Sequence, residues 1–113
     1  MAKRIMIVED DVLLAMDLAE RLERFGFEIL GPCMTCKSAL SLFGAQPCDA
    51  AVLDINLGHE TSEAVAVSLH AKGVPFVVAS GYSLDQYPAI FKDVPAVSKP
   101  VNTDALVELL RAS

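Results

Sequence analysis

Basic residues are scarce, with nine Lys and Arg against fifteen Asp and Glu in 113 residues, for a formal net charge of −6. Without a positive field the chain is a poor match for nucleic acid or for an anionic membrane surface, and a DNA-binding reading is disfavoured. Long hydrophobic runs are missing as well. Nothing approaches the roughly 20 apolar residues that a membrane helix needs, and the opening MAKRIMIVED meets an acid after four apolar residues, too few for a signal-peptide core. Cysteine is rare and odd in number, at three, which suits a reducing compartment rather than a disulfide scaffold and predicts a cytoplasmic protein. No repeat, low-complexity tract or Gly/Ser linker divides the chain. Its length fits one domain of about 100–150 residues, spanning 1–113. At 53% hydrophobic and 21% charged it can bury a core of its own.

What is present alternates between short β-rich runs and longer helical patterns. The runs are Ile5 to Val8, Phe27 to Leu30, Ala50 to Leu53, Phe76 to Ala79 and Val94 to Val97. Lacking polar alternation, they predict strands covered on both faces. Leu14, Leu18, Leu22 and Phe25 predict the apolar face of a first helix, stopped by Gly26. A second helix is expected over Thr35 to Phe43 with Gly44 ending it, and a third over about Ser62 to Ala71 with Gly73 ending it. The segment Leu84 to Ile90 holds at most a turn or two before Pro88 intervenes. The last helix starts at Asn102 and buries Leu106, Leu109 and Leu110. Five β-then-α units with short right-handed crossovers imply an α/β fold: a doubly wound five-stranded parallel sheet with helices on both faces.

In such sheets, sites form beyond the carboxyl ends of the strands. Glu9, Asp10 and Asp11 follow the first strand, Asp54 and Asn56 the third, Ser80 the fourth, and Ser98, Lys99 and Pro100 the fifth. Carboxylates crowded at one rim repel each other, and a hard divalent cation on oxygen ligands is the usual remedy. Magnesium suits best, because it keeps positions open for water and phosphate oxygens. With a lysine to neutralise an incoming anion and a hydroxyl to hydrogen-bond it, the set describes a magnesium-dependent phosphoryl acceptor with a carboxylate nucleophile.

IMIVEDD, VLDINL, VVASGY and VSKP, in this order and spacing, resemble the receiver domain of two-component response regulators over essentially all 113 residues. The resemblance implies a flavodoxin-like fold and a protein that accepts phosphate from a phosphohistidine donor, either a sensor histidine kinase or a histidine phosphotransferase. It is expected to lose that phosphate slowly and to signal by protein contact or phosphorelay, without being an enzyme on other substrates. It further implies Asp54 as phosphoacceptor, Asp10 as a direct Mg2+ ligand, Glu9 acting through water, and the main-chain carbonyl of Asn56 as a third ligand. Ser80 matches the hydroxyl residue that turns toward the phosphoryl group, Lys99 the lysine that pairs with it, and Pro100 a proline that follows a cis peptide. Ala96 stands where most receivers carry an aromatic switch, and the loop INLGHETSE lacks the usual proline and Asp-Gly pair. The run VPFVVASGYS is similar to a subgroup with a Phe-Ala-Thr-Gly-X-Tyr signature, with Val78 and Ser80 in place of its Phe and Thr and with Tyr82 directly after Gly81. The read-out is therefore expected to move into the loop Ser80-Gly81-Tyr82.

Competing readings follow from the same residues. Asp11 suits a helix N-terminus better than a ligand role. His59 and His70 lack the neighbours of a zinc site. Cys33-Met34-Thr35-Cys36, entering a helix after a strand, is the pattern by which thioredoxin-like dithiol oxidoreductases lower a thiol pKa. That reading leaves Glu9, Asp10, Asp54 and Lys99 without a role, and packing is the simpler use of these cysteines. A phosphatase with a DxD-type motif needs proton transfer from the second acid, which Asn56 does not offer. A receiver-like interaction module that is never phosphorylated is the remaining alternative.

Overall fold

β1 (Arg4–Val8) sends Ile5 and Ile7 into one apolar layer and Met6 and Val8 into another, and all four are buried. β3 (Ala50–Leu53) divides in the same way, with Val52 on the first side and Leu53 on the second, and so does β4 (Phe76–Ser80), with Val77 and Val78. A sheet covered on both faces asks for apolar residues at every strand position, which is why these strands lack polar alternation. The computed structural model describes residues 3–81 and 88–113. In it, β2 (Glu28–Cys33) and β5 (Ala96–Ser98) complete a five-stranded sheet in the order β2-β1-β3-β4-β5, with every pair parallel. The expected doubly wound, flavodoxin-like α/β fold is the one found.

The helices α1 (Val12–Arg24) and α4 (Thr103–Ala112) cover the face of Ile5 and Ile7, through Ala19 and Leu22 and through Leu106, Val107 and Leu110. On the other face lie α2 (Cys36–Ala45) and α3 (Glu63–Ala71), contributing Ala39, Val65, Ala66 and Leu69. Asp11 accepts hydrogen bonds from the amides of Leu13 and Leu14, at 3.1 and 3.2 Å, and Asn102 accepts one from Ala105, at 3.2 Å. Both act as N-caps. No helix among the described residues is long and apolar enough to cross a membrane.

Several local expectations are corrected. The buried stripe of α1 is Ala15, Ala19 and Leu22, while Leu14 and Phe25 are exposed, because small residues let the helix lie close to the sheet. Gly44 does not end α2, which continues to Ala45 before Gln46 turns extended. Gly26 and Gly73 do follow their helices with positive φ. β2 includes Gly31, Pro32 and Cys33, and β5 begins at Ala96 rather than Val94. In the segment Leu84 to Ile90, residues 84–87 lie outside the described residues, and a 3-10 turn, Ala89–Phe91, follows Pro88.

Candidate functional site

Register places the site. Val8 pairs with Leu53, and Ser80 with Ser98, so the strands end nearly level and the residues that follow converge on one rim. Glu9 is fixed there by its amide to the Cys33 carbonyl at 2.9 Å, Asp54 by its amide to the Val8 carbonyl at 2.9 Å, and Lys99 by its amide to the Ser80 carbonyl at 3.2 Å. The rim lies at the topological switch point between β1 and β3, where consecutive crossovers leave in opposite directions.

The Lys99 ammonium donates to both oxygens of Glu9, at 3.0 and 3.2 Å, and to Oδ2 of Asp54 at 3.0 Å. Glu9 is 5% and Asp54 8% exposed, so one cation serves two buried acids. Burial above all, then the hydrogen bond with Asp54, pushes the Glu9 carboxyl up from 4.5 to about 7, against the pull of Lys99. For Lys99, burial alone works against the charged form, but its hydrogen bonds to Glu9 and Asp54 prevail and hold the ammonium above its ordinary value. Crowding of buried acids around a single ammonium thus favours the protonated form of Glu9.

Asp10, exposed beside this pair, completes a group whose three carboxylates each offer an oxygen within 4.8 Å of the others. Hard oxygen donors crowded to this degree, with one ammonium among them, suit a divalent metal ion. Asn56 and Ser80 line the same cavity as Asp10, Asp54 and Lys99, a space of about 280 Å³. The Asn56 side chain accepts from the Gly58 amide at 3.0 Å, and Gly58 takes the positive φ of +88° that this turn requires. A Cβ at Gly58 would stand in ordinary contact with Oδ2 of Asp10, at 3.6 Å, so this turn lies directly beside that acid, and it is the positive φ that calls for glycine. A larger cavity of about 520 Å³ lies beside α1 and the start of α4, lined by Leu14, Leu18 and Val101 and also by Glu9, Asp54 and Lys99. Tyr82, on which the expected read-out depends, lies outside the described residues. Ala96 is half-buried, and the Lys99–Pro100 peptide is cis, as the resemblance implies.

The remaining candidates separate from this rim. His59 and His70 are exposed. Cys33 and Cys36 are buried, and burial pushes both thiols up, assisted at Cys36 by Glu60, which is the opposite of what a thiolate nucleophile needs. Cys36 begins α2 and its thiol donates to the Thr61 carbonyl at 3.1 Å, a packing role. Replacing both cysteines with Ser is expected to lower stability by on the order of 1–2 kcal/mol in thermal unfolding. The magnesium response of the folded protein should not change, and a lost response would tie the thiols to the acidic site.

Sequence reasoning missed Ser62. It is fully buried, and its hydroxyl donates to the main-chain carbonyl of Asp54 at 2.5 Å. Serine just before an apolar helical run reads as an ordinary cap, and no local pattern reveals a partner eight residues away.

No family model matches the chain. It is 38% identical to SdrG from Sphingomonas melonis Fr1, whose solution structure superposes with a TM-score of 0.84 over 98% of this chain and 95% of that one. A CheY-like response regulator receiver domain from Methylobacillus flagellatus is 26% identical, with a TM-score of 0.86 over 99% and 98%. The transcriptional regulatory protein PdtaR of Mycobacterium tuberculosis is 27% identical over 111 residues, 97% of this chain. The chain spans about half the length of the curated relatives it matches, at 54%.

Proposed function

Because this chain belongs to the receiver-domain family of response regulators, whose members are signalling proteins, we propose that it accepts a phosphoryl group on Asp54. The donor is a phosphohistidine of a sensor histidine kinase or a histidine phosphotransferase in the cytoplasm. The observation that carries this reading is the Lys99 ammonium held within 3.2 Å of Glu9 and Asp54 at the switch point, with Asp10 at its edge. Glu9, Asp10, Asp54 and the Asn56 carbonyl would hold Mg2+, whose charge, when bound, neutralises the acids and draws in phosphoryl oxygens.

A carboxylate oxygen of Asp54 attacks phosphorus as the bond to the donor imidazole breaks; the donor ring carries a proton on its other nitrogen, so that it leaves as neutral imidazole with the N–P electron pair. Lys99 already points at Oδ2 of Asp54, so it needs little movement to pair with the added phosphoryl oxygens, and the Ser80 hydroxyl donates to another. The low exposure of Asp54 limits attack by water on the acyl phosphate and supports slow self-dephosphorylation. The modified rim is then read by protein contact or passed on by relay.

Incubation with acetyl phosphate and Mg2+, followed by intact-mass spectrometry, should show one phosphate on the wild type and none on Asp54→Asn. Uptake by Asp54→Asn equal to the wild type would remove this reading. With a magnesium dissociation constant of about 1 mM, 10 mM metal adds roughly 1.4 kcal/mol by mass action, seen as a higher melting temperature. Asp10→Asn should lose that increment while the metal-free protein stays at least as stable, since a repulsive charge has gone.

A further inference from the structure

Ser62 occupies the N-cap position of α3, yet its side chain makes no cap hydrogen bond to the helix. Serine at this position ordinarily turns its oxygen to an amide one turn on. Here the side chain is wholly buried, and the hydroxyl is turned back to the carbonyl of Asp54 at 2.5 Å. The Ser62 amide donates to the next carbonyl, that of Ile55, at 2.8 Å. One residue thus grips two consecutive carbonyls at the point where β3 ends and the loop toward α3 begins.

Asp54 is thereby fixed from both sides. The peptide before it is held by its amide bond to Val8 in the sheet, and the peptide after it by the Ser62 hydroxyl. With both flanking peptide planes pinned, the direction of the Asp54 side chain is set by the backbone as well as by Lys99. The grip continues along the loop, where Asn56 pairs with Thr61 as an antiparallel bridge and the Leu57 amide donates to the Glu60 carbonyl at 2.8 Å. The outer end is tied to α2 by the Glu60 carboxylate, which accepts from the Cys36 amide at 3.0 Å.

We infer that Ser62 is a positioning residue for the acidic site: its hydroxyl, by holding the Asp54 carbonyl, orients the Asp54 carboxylate toward a bound metal ion and an incoming phosphoryl group. This rests on the reading of Asp54 as phosphoacceptor, and it assigns part of that chemistry to a side chain that touches neither ligand. A purely structural hydroxyl would satisfy a buried carbonyl and contribute only to stability.

Ser62→Ala separates the two roles, because it takes no cap bond from α3 and removes only the bond to Asp54. The measurements are the magnesium dissociation constant, from amide chemical shifts during titration with MgCl2, and the rate of phosphate uptake from acetyl phosphate at saturating metal. Both are read well below the melting temperature of each variant. Ser62→Ala should weaken magnesium binding about tenfold and slow phosphate uptake by a similar factor, as loss of an outer partner does at metal sites. Ser62→Cys, with the same shape and a weaker donor, should fall between them, and it supplies the reading should the alanine variant not fold. Wild-type magnesium affinity and uptake rate in a folded Ser62→Ala would overturn the inference while leaving Asp54 as acceptor. If the wild type binds magnesium but takes no phosphate, the phosphoacceptor reading fails alone, and the magnesium titration still decides for or against Ser62. If the wild type binds no magnesium, the inference is overturned.

Discussion

Lys99→Met is expected to destabilise the metal-free chain by about 3 kcal/mol at neutral pH, a fall of about 10 °C in melting temperature. Methionine keeps the length and apolar stem of lysine, so the loss isolates the charge. Removing it leaves Glu9 and Asp54, both nearly buried, facing each other with no cation between them. Part of the cost is avoided at low pH, because Glu9 already holds a proton up to about 7 and would hold it more firmly beside an unscreened Asp54. The penalty should therefore grow as pH rises. The sign reverses for metal: with the competing ammonium gone, Mg2+ should raise the melting temperature of Lys99→Met by more than that of the wild type. Calorimetry with and without Mg2+ checks both. Equal metal-free melting temperatures for variant and wild type would show that the ion pair contributes nothing to the fold.

The metal-free wild type should become less stable between about pH 4.5 and pH 7. Glu9 binds its proton more tightly folded than unfolded, with the carboxyl moved from 4.5 to about 7 chiefly by burial. In that window the native state carries more protons than the unfolded chain, so stability is greatest below the unfolded value and is lost as pH climbs through the folded one. The full span corresponds to roughly 3 kcal/mol. Glu9→Gln, which has no proton to lose, should flatten the profile in urea unfolding of the chelated protein. Magnesium works the other way, since a carboxylate ligand must shed its proton to bind metal, and its stabilising increment should be larger at pH 8 than at pH 6. A wild-type profile that rises between pH 5 and pH 7 without metal would exclude a raised Glu9.

The sheet was legible because its central strands are apolar along nearly their whole length, and Ala50 to Leu53 matches residue for residue, whereas the edge strands β2 and β5 shift their bounds. Helix faces were less so. In α1 Leu22 is buried as expected and Leu18 packs beside it, but the rest of the buried stripe is Ala15 and Ala19, and Leu14 turns toward the cavity beside α4. Periodicity identifies a helix without saying which of two neighbouring stripes is buried. Gly44 shows that glycine near the end of a helical pattern is a stop only when the backbone needs positive φ there, as at Gly26 and Gly73. Glu9, Asp54 and Lys99 could be found because each directly follows a strand, and parallel strands in register gather such residues. Ser62 could not, since its hydrogen bond belongs to the path of a loop, which no periodic pattern encodes.

The two buried acids stand at the ends of central strands, but their counter-ion arrives from the edge of the sheet, ninety residues from Glu9 and forty-five from Asp54. β5 has three residues, half-buried or exposed, and lies at an edge of the sheet, where local opening costs least. Each opening of that edge would carry off the Lys99 ammonium and leave Glu9 and Asp54 facing each other on a sheet otherwise intact. The acidic pair thus acts as a tether on β5, so that electrostatics at one end of the strand supplies cohesion that its sparse burial does not. Whatever neutralises those acids by another route would weaken this electrostatic hold on the edge strand while leaving the buried central strands as they are.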